Sequence, residues 1–284
     1  MLGSLLGALA TSMLRANVSG FSWFQLLPGF GHSAGVAHAL GLQDPHAAFV
    51  IPTAWTVVGA ILFFAFLARK GLERAMQRSG PERYIPDSGI TPRNIFEVLT
   101  EALTGIVGGT LGHKDAVFYF PFLAALFTYI LVANLVGFIP GILPATEDFS
   151  TNFALALCVF VAFNVAGVAR NGFGYFKHLW GPKLPMIMIP VNILILVVEA
   201  FGLLIRPATL SIRLTANIFA DHLVAGVIRD LGNGLPSVLG FLGGALFPLP
   251  FYALGLLVCF LQAFVFTLLS TIYLSLAVAH EDHH

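Results

Sequence analysis

Apolar runs near residues 48 to 68, 117 to 139, 149 to 169, 185 to 228 and 238 to 279 dominate this chain. Each is long enough to cross a bilayer as a helix, which takes roughly 20 residues. The last two exceed one simple crossing, so they must tilt or break to stay within the hydrocarbon. Composition points the same way, with 57% hydrophobic residues, 10% charged residues and a mean hydropathy of +0.88. A soluble domain carries about 25% charged residues. The expected fold is an all-α membrane protein. It has about five transmembrane helices, an interfacial amphipathic helix and a long tilted C-terminal helical hairpin at 185–279. Residues 48–284 form the membrane domain, and residues 1–47 an N-terminal extracytoplasmic segment.

Several function classes drop out early. Net charge is zero, and no Lys/Arg patch alternates with aromatic residues outside the apolar runs, so nucleic acid is not an expected partner. No GxxxxGK[ST] loop is present, so any coupling to nucleotide chemistry must pass through another subunit. Cys158 and Cys259 both sit inside apolar runs and read as small buried hydrophobes rather than a disulfide or metal pair. No cofactor and no metal site are expected. The first twenty residues lack a basic start and a strong apolar core, which argues for mature protein rather than a cleaved signal.

Basic residues set the orientation. Arg69, Lys70, Arg74, Arg78, Arg83, Arg93 and Lys114 follow the first run, and Arg170, Lys177 and Lys183 follow the third, so those loops face the cytoplasm. The connection from Ile139 to Ser150 has Glu147 and Asp148 but no basic residue, and the first 47 residues hold only Arg15. The N-terminus is therefore expected outside and the C-terminal tail in the cytoplasm. Between the first two runs, Thr91 and Pro92 precede Ile95, Val98, Leu99, Leu103, Ile106 and Val107, an apolar stripe at helical spacing after a start signal. This is an interfacial helix, or else a short soluble helix packed on the cytoplasmic face. Gly232, Gly234 and Pro236 within Asp230 to Pro236 should break the chain between the last two runs. No internal repeat is evident, unlike the inverted halves of many secondary transporters.

The penultimate run carries Glu199, Arg206, Arg213, Asp221 and His222 among apolar residues. A charge at bilayer centre costs roughly 2.5 to 3.5 kcal/mol on insertion scales, so such groups face protein or water and usually serve an ion path. Glu199, Arg206 and Arg213 recur every seven residues and share one helix face, which Asn217 and Asp221 extend. His222, nine residues beyond Arg213, points to nearly the opposite side. It reads as a proton relay, against the alternative of a satisfied core histidine. Arg213 cannot carry protons, because a guanidinium does not release one. As a fixed charge it would lower the pKa of a facing carboxylate and strip its proton. The alternative is a structural ion pair with Glu199 or Asp221. Arg206, just before Pro207, is either a snorkelling anchor or a channel residue. In the last run, Gln262 and Tyr273 are the main large polar groups, and Gln262 is placed to hydrogen-bond Arg213. Asp148 and Asn152, near the outer end, are candidates to line a wet inlet.

At these residues the chain resembles subunit a of the F-type ATP synthase. The family's penultimate-helix signature corresponds to Glu199, Arg206-Pro207 and LSIRLTANIFADHL, and its final-helix pattern to LQAFVFTLLSTIYLSLA. The resemblance implies a proton-translocating stator subunit without a catalytic site of its own, located in the bacterial plasma (inner) membrane. It would form two offset half-channels against a c-subunit ring, with subunit b of the peripheral stalk, other ATP synthase subunits and membrane lipid as further partners. It also implies that Arg213 separates the half-channels and releases protons from ring carboxylates. Asn217 and Gln262 match its neighbours, His222 the inlet-side position, and Glu199 the acid toward the cytoplasmic exit.

One position departs from the family. Where the family has His at the position of His222, the final helix usually supplies an acid seven residues before the glutamine, and that position here is Gly255. Asp221 is the residue we expect to supply the missing carboxylate. The competing function class is a self-contained ion channel or secondary transporter, which would conduct without a ring.

Overall fold

The computed structural model describes residues 47–77, 91–139, 144–172, 189–233 and 246–279, together with the single positions Gly80, Gly89, Ile142, Tyr175 and Gly244. The expected N-terminal segment before 47, the basic residues Arg78, Arg83, Lys177 and Lys183, the turn residues Gly234 and Pro236, and the tail from 280 lie outside the described residues.

Among the described residues, six helices follow in chain order: α1 (Ala47–Met76), α2 (Pro92–Leu111), α3 (His113–Val136), α4 (Phe149–Asn171), α5 (Ile189–Asn233) and α6 (Leu249–Val278). A 3-10 turn, Ala145–Glu147, leads into α4. Helices α1, α3, α4 and α6 are long and apolar enough to cross a membrane. Helix α5 has 45 residues and so spans about 68 Å, more than twice the thickness of a hydrocarbon core. The chain is an all-α, multi-pass membrane protein.

Local chemistry accounts for most helix boundaries. Thr91 is extended (φ −99°, ψ 154°) and its hydroxyl accepts from the Asn94 N–H, capping α2, with Pro92 in the first turn. Leu103, Val107 and Leu111 form the buried stripe of α2, while Ile95 and Val98 are exposed. At Gly112, φ is +71°, which lets α3 start one residue after α2 ends at little conformational cost. Helix α5 ends at Asn233, within the Asp230 to Pro236 stretch where a break is expected, with Asp230 and Gly232 still helical. A glycine costs only about 1 kcal/mol inside a helix, too little to stop one this long.

Contacts at one end of the bundle tie the basic connections together. Arg170 reaches Asp115 at 3.4 Å, Asn171 donates to the Ala277 carbonyl at 3.2 Å, and Ser275 donates to the Thr110 carbonyl at 3.0 Å. A β-carbon added at Gly71 would sit 3.2 Å from that of Arg93, so α2 runs from the foot of α1 to the foot of α6. The core above it joins Leu123, Phe127, Val159, Phe163, Leu214 and Phe266 from α3 to α6.

Candidate functional site

Helix α5 buries one stripe and presents another. Pro207, Leu210, Ser211, Leu214 and Ile218 are buried, at the spacing that keeps residues on one helix face. Ile205, Ile212, Ala216, Phe219 and Leu223 are exposed on the other side. Arg213 belongs to the exposed flank, within one turn of the helix midpoint. Among the described residues it makes no hydrogen bond and no ion pair. The buried stripe packs against the bundle and so fixes the direction in which Arg213 faces.

The rest of the polar stripe lies along the seam with α6. The Arg206 guanidinium carbon is 4.9 Å from the Tyr273 ring centroid and 6.0 Å from that of Phe163. Asn217 donates its amide N–H to Gln262 Oε1 at 2.7 Å. A β-carbon at Gly255 would stand 3.7 Å from Asp221 Oδ2. These contacts advance along α5 as they recede along α6, as an antiparallel pair requires.

One expectation needs correction. Gln262 does not bond Arg213: its oxygen is taken by Asn217, one turn further along the buried seam, and its Nε2 is buried without a partner. Arg206 lies against aromatic rings of both α4 and α6. The ion pair of Arg213 with Asp221 is also absent, since Asp221 turns onto α6 at Gly255. A β-carbon at Gly255 would also come within 2.9 Å of Phe138 Cζ, so Phe138 fills part of the space a larger side chain would use.

At the other end, Asp148 is half-buried just before α4, and Asn152 is fully buried. Asn152 Nδ2 donates to the Thr146 carbonyl at 2.6 Å and to Thr215 Oγ1 at 2.7 Å. The Thr146 hydroxyl donates to Asn134 Oδ1 at 2.7 Å. The 3-10 turn therefore dips into the bundle and joins α3, α4 and α5. Sequence reasoning missed Thr146 and Thr215. Thr215 precedes His222 by two helical turns on one face, a usable signal, whereas Thr146 lies in an aperiodic loop that offers none. Positions 199 and 222 belong to α5, but the side chains of Glu199 and His222 lie outside the described residues. No cluster suited to a metal ion occurs among the described residues.

Residues 51–275 match the family described as ATP synthase A chain. An ATP synthase subunit a from Bdellovibrio bacteriovorus is 37% identical over 262 residues, covering 92% of this chain and 99% of that protein. One from Trichlorobacter lovleyi is 36% identical over 253 residues, covering 87% and 95%. An ATP synthase subunit a 2 from Syntrophotalea carbinolica is 38% identical over 200 residues, covering 69% and 77%.

Proposed function

Because the chain belongs to the ATP synthase A chain family, we propose that it is the proton-translocating stator subunit of an F-type ATP synthase, working through Arg213 against a ring of c subunits. The observation that carries this reading is an arginine near the midpoint of α5, exposed on an otherwise apolar flank and unpaired among the described residues of its own chain. Left against lipid it would cost roughly 2.5 to 3.5 kcal/mol. A passing carboxylate on another subunit removes that cost. Thr209 and Ala216, exposed beside it, leave room for a close approach.

The chemistry follows from two environments. A ring carboxylate facing lipid is desolvated, its pKa rises and it keeps its proton. Opposite Arg213 the carboxylate form is favoured, its pKa falls and the proton leaves. The guanidinium itself never titrates, so protons cannot cross directly from one half-channel to the other. Asn217 and Gln262 brace α5 against α6 beside this point. On the inlet side, Asp148 and Asn152 line the approach, and His222 with Asp221 passes protons toward the ring, Asp221 supplying the carboxylate that Gly255 lacks. Glu199 serves the cytoplasmic exit, while Arg206 and Tyr273 form the wall on that side. Nucleotide chemistry belongs to other subunits of the complex, and subunit b of the peripheral stalk would hold this chain still. The basic end of the bundle faces the cytoplasm and the N-terminus faces outward, in a bacterial plasma membrane.

The test is Arg213→Ala in the assembled complex in membrane vesicles. Proton-driven ATP synthesis should fall to background while the subunits still co-purify. Intact synthesis would overturn the proposal, and proton flux through the purified chain alone would favour a self-contained channel.

A further inference from the structure

The seam between α1 and the rest of the bundle opens midway. Thr53, Val57, Ala68 and Ala75 are buried at the spacing of one helix face. On that same face, between Val57 and Ala68, Ile61 is only half-buried and Phe64 is 52% exposed. The gap is a cleft of about 180 Å³ lined by Ile61 of α1, Phe96, Leu99 and Leu103 of α2, and Ala125 and Thr128 of α3. Ala125 is exposed, so the cleft opens on the outer surface of the bundle. The Thr128 hydroxyl already donates to the Ala124 carbonyl at 2.7 Å, which leaves walls that are almost wholly apolar. Water gains little from such a space. Left empty, its walls would forfeit dispersion contacts on one side.

Charge lies within reach of this cleft. Arg69, Lys70 and Arg74 stand at the foot of α1 against the single acid Glu73, with Arg69 about 12 Å along the helix from Ile61. Arg69 holds Glu73 through Nε at 2.9 Å, so its two terminal amino groups remain available to an anion. The Lys70 ammonium sits 4.5 Å from the Phe66 ring centroid, which keeps it beside the apolar surface. We infer that the cleft seats one acyl chain of an anionic phospholipid, whose phosphate rests against Arg69, Lys70 and Arg74. A helix with its side chains is about 10 to 12 Å across, too wide for a space this small, whereas a single hydrocarbon chain enters it. Clustered basic residues beside a membrane span attract anionic headgroups, and a zwitterionic lipid would bring a cation of its own toward them. The bound chain would complete the packing of α1 against α2 and α3.

The test is photolabelling of the intact complex in phosphatidylcholine nanodiscs, using a phosphatidylglycerol probe with a diazirine near the end of its acyl chain. Peptide mapping should place the label on Ile61, Phe96 or Ala125. Unlabelled phosphatidylglycerol should compete at least fivefold better than added phosphatidylcholine. Equal competition by the two lipids, or label spread alike over the exposed faces of α1 and α4, would overturn the inference. So would an absence of label, the result expected if a helix of another subunit covers the cleft. Ala125→Phe fills the cleft from an exposed position without crowding the core, and should lower labelling at least fivefold. Val165→Phe, on the exposed face of α4, should leave it unchanged; equal labelling in both variants would count against the cleft. Replacing Arg69, Lys70 and Arg74 together with Gln should keep label in the cleft but erase the preference for the anionic lipid. A preference that survives this change would overturn the inference.

Discussion

A guanidinium over aromatic rings and a guanidinium on a bare apolar flank carry the same charge but do different work. Arg206, between Tyr273 and Phe163, is held by the ring quadrupoles, which makes it a joint between helices. Arg213, two turns on, has no such partner among the described residues, which is why we propose that its charge serves an outside group. Asp221 lies between these roles. Its carboxylate stands 3.7 Å from the place where Gly255 would carry a β-carbon, which supports the proposal that it serves in place of an acid on α6. Asp221→Asn should lower proton-driven ATP synthesis at least tenfold, measured as the initial rate in energised vesicles. Restoring an acid with Gly255→Glu in that background should recover part of the loss, once the Phe138 ring moves aside. Unchanged synthesis in Asp221→Asn alone would exclude the role. The need for an acid here came from the resemblance to the family, which usually has one where this chain has Gly255. Asp221 as its source is our proposal, supported by its approach to Gly255.

At the scale of helices, packing in the membrane gains little from apolar burial, because lipid tails are as apolar as leucine. Polar bonds between helices therefore set register, and α5 is held by one on each side: Asn217 to Gln262 of α6 and Thr215 to Asn152 of α4. Such a bond is worth about 0.6 kcal/mol on average and at most about 1.7 kcal/mol. A double-mutant cycle with Asn217→Leu and Gln262→Leu, read by unfolding in detergent, should return a coupling of that size. A value near zero would mean that the two amides do not meet. Thr91→Ala should destabilise α2 by about 0.5 to 2 kcal/mol through loss of its cap, detected as faster proteolysis at the start of that helix. The start of α2 was readable from Thr91-Pro92, since a cap is a local event. The end of α5 was readable to within a turn, since Asn233 lies inside the stretch from Asp230 to Pro236 that carries the breaking residues.

For the whole molecule, Lys114 and Arg170 stand at one end of the bundle and Glu147 and Asp148 at the other, and the proposed membrane orientation rests on that asymmetry. Cysteine introduced at Lys114 should react with an impermeant thiol reagent only from the cytoplasmic side, and at Glu147 only from the outside. The reverse pattern would invert the assignment of the two half-channels. Length and hydropathy were enough to establish a helical membrane protein, because the energetic cost of lipid acts on every residue and leaves its trace in the chain. The same holds for Arg213 as a fixed charge, since its chemistry does not depend on its neighbours. Which groups meet was another matter. That Gln262 takes Asn217 rather than Arg213, that aromatic rings capture Arg206, and that a loop threonine enters the core were decided by the crossing of α5 with α4 and α6. Contacts between residues dozens of positions apart leave no periodic mark, so only the folded chain could choose among them.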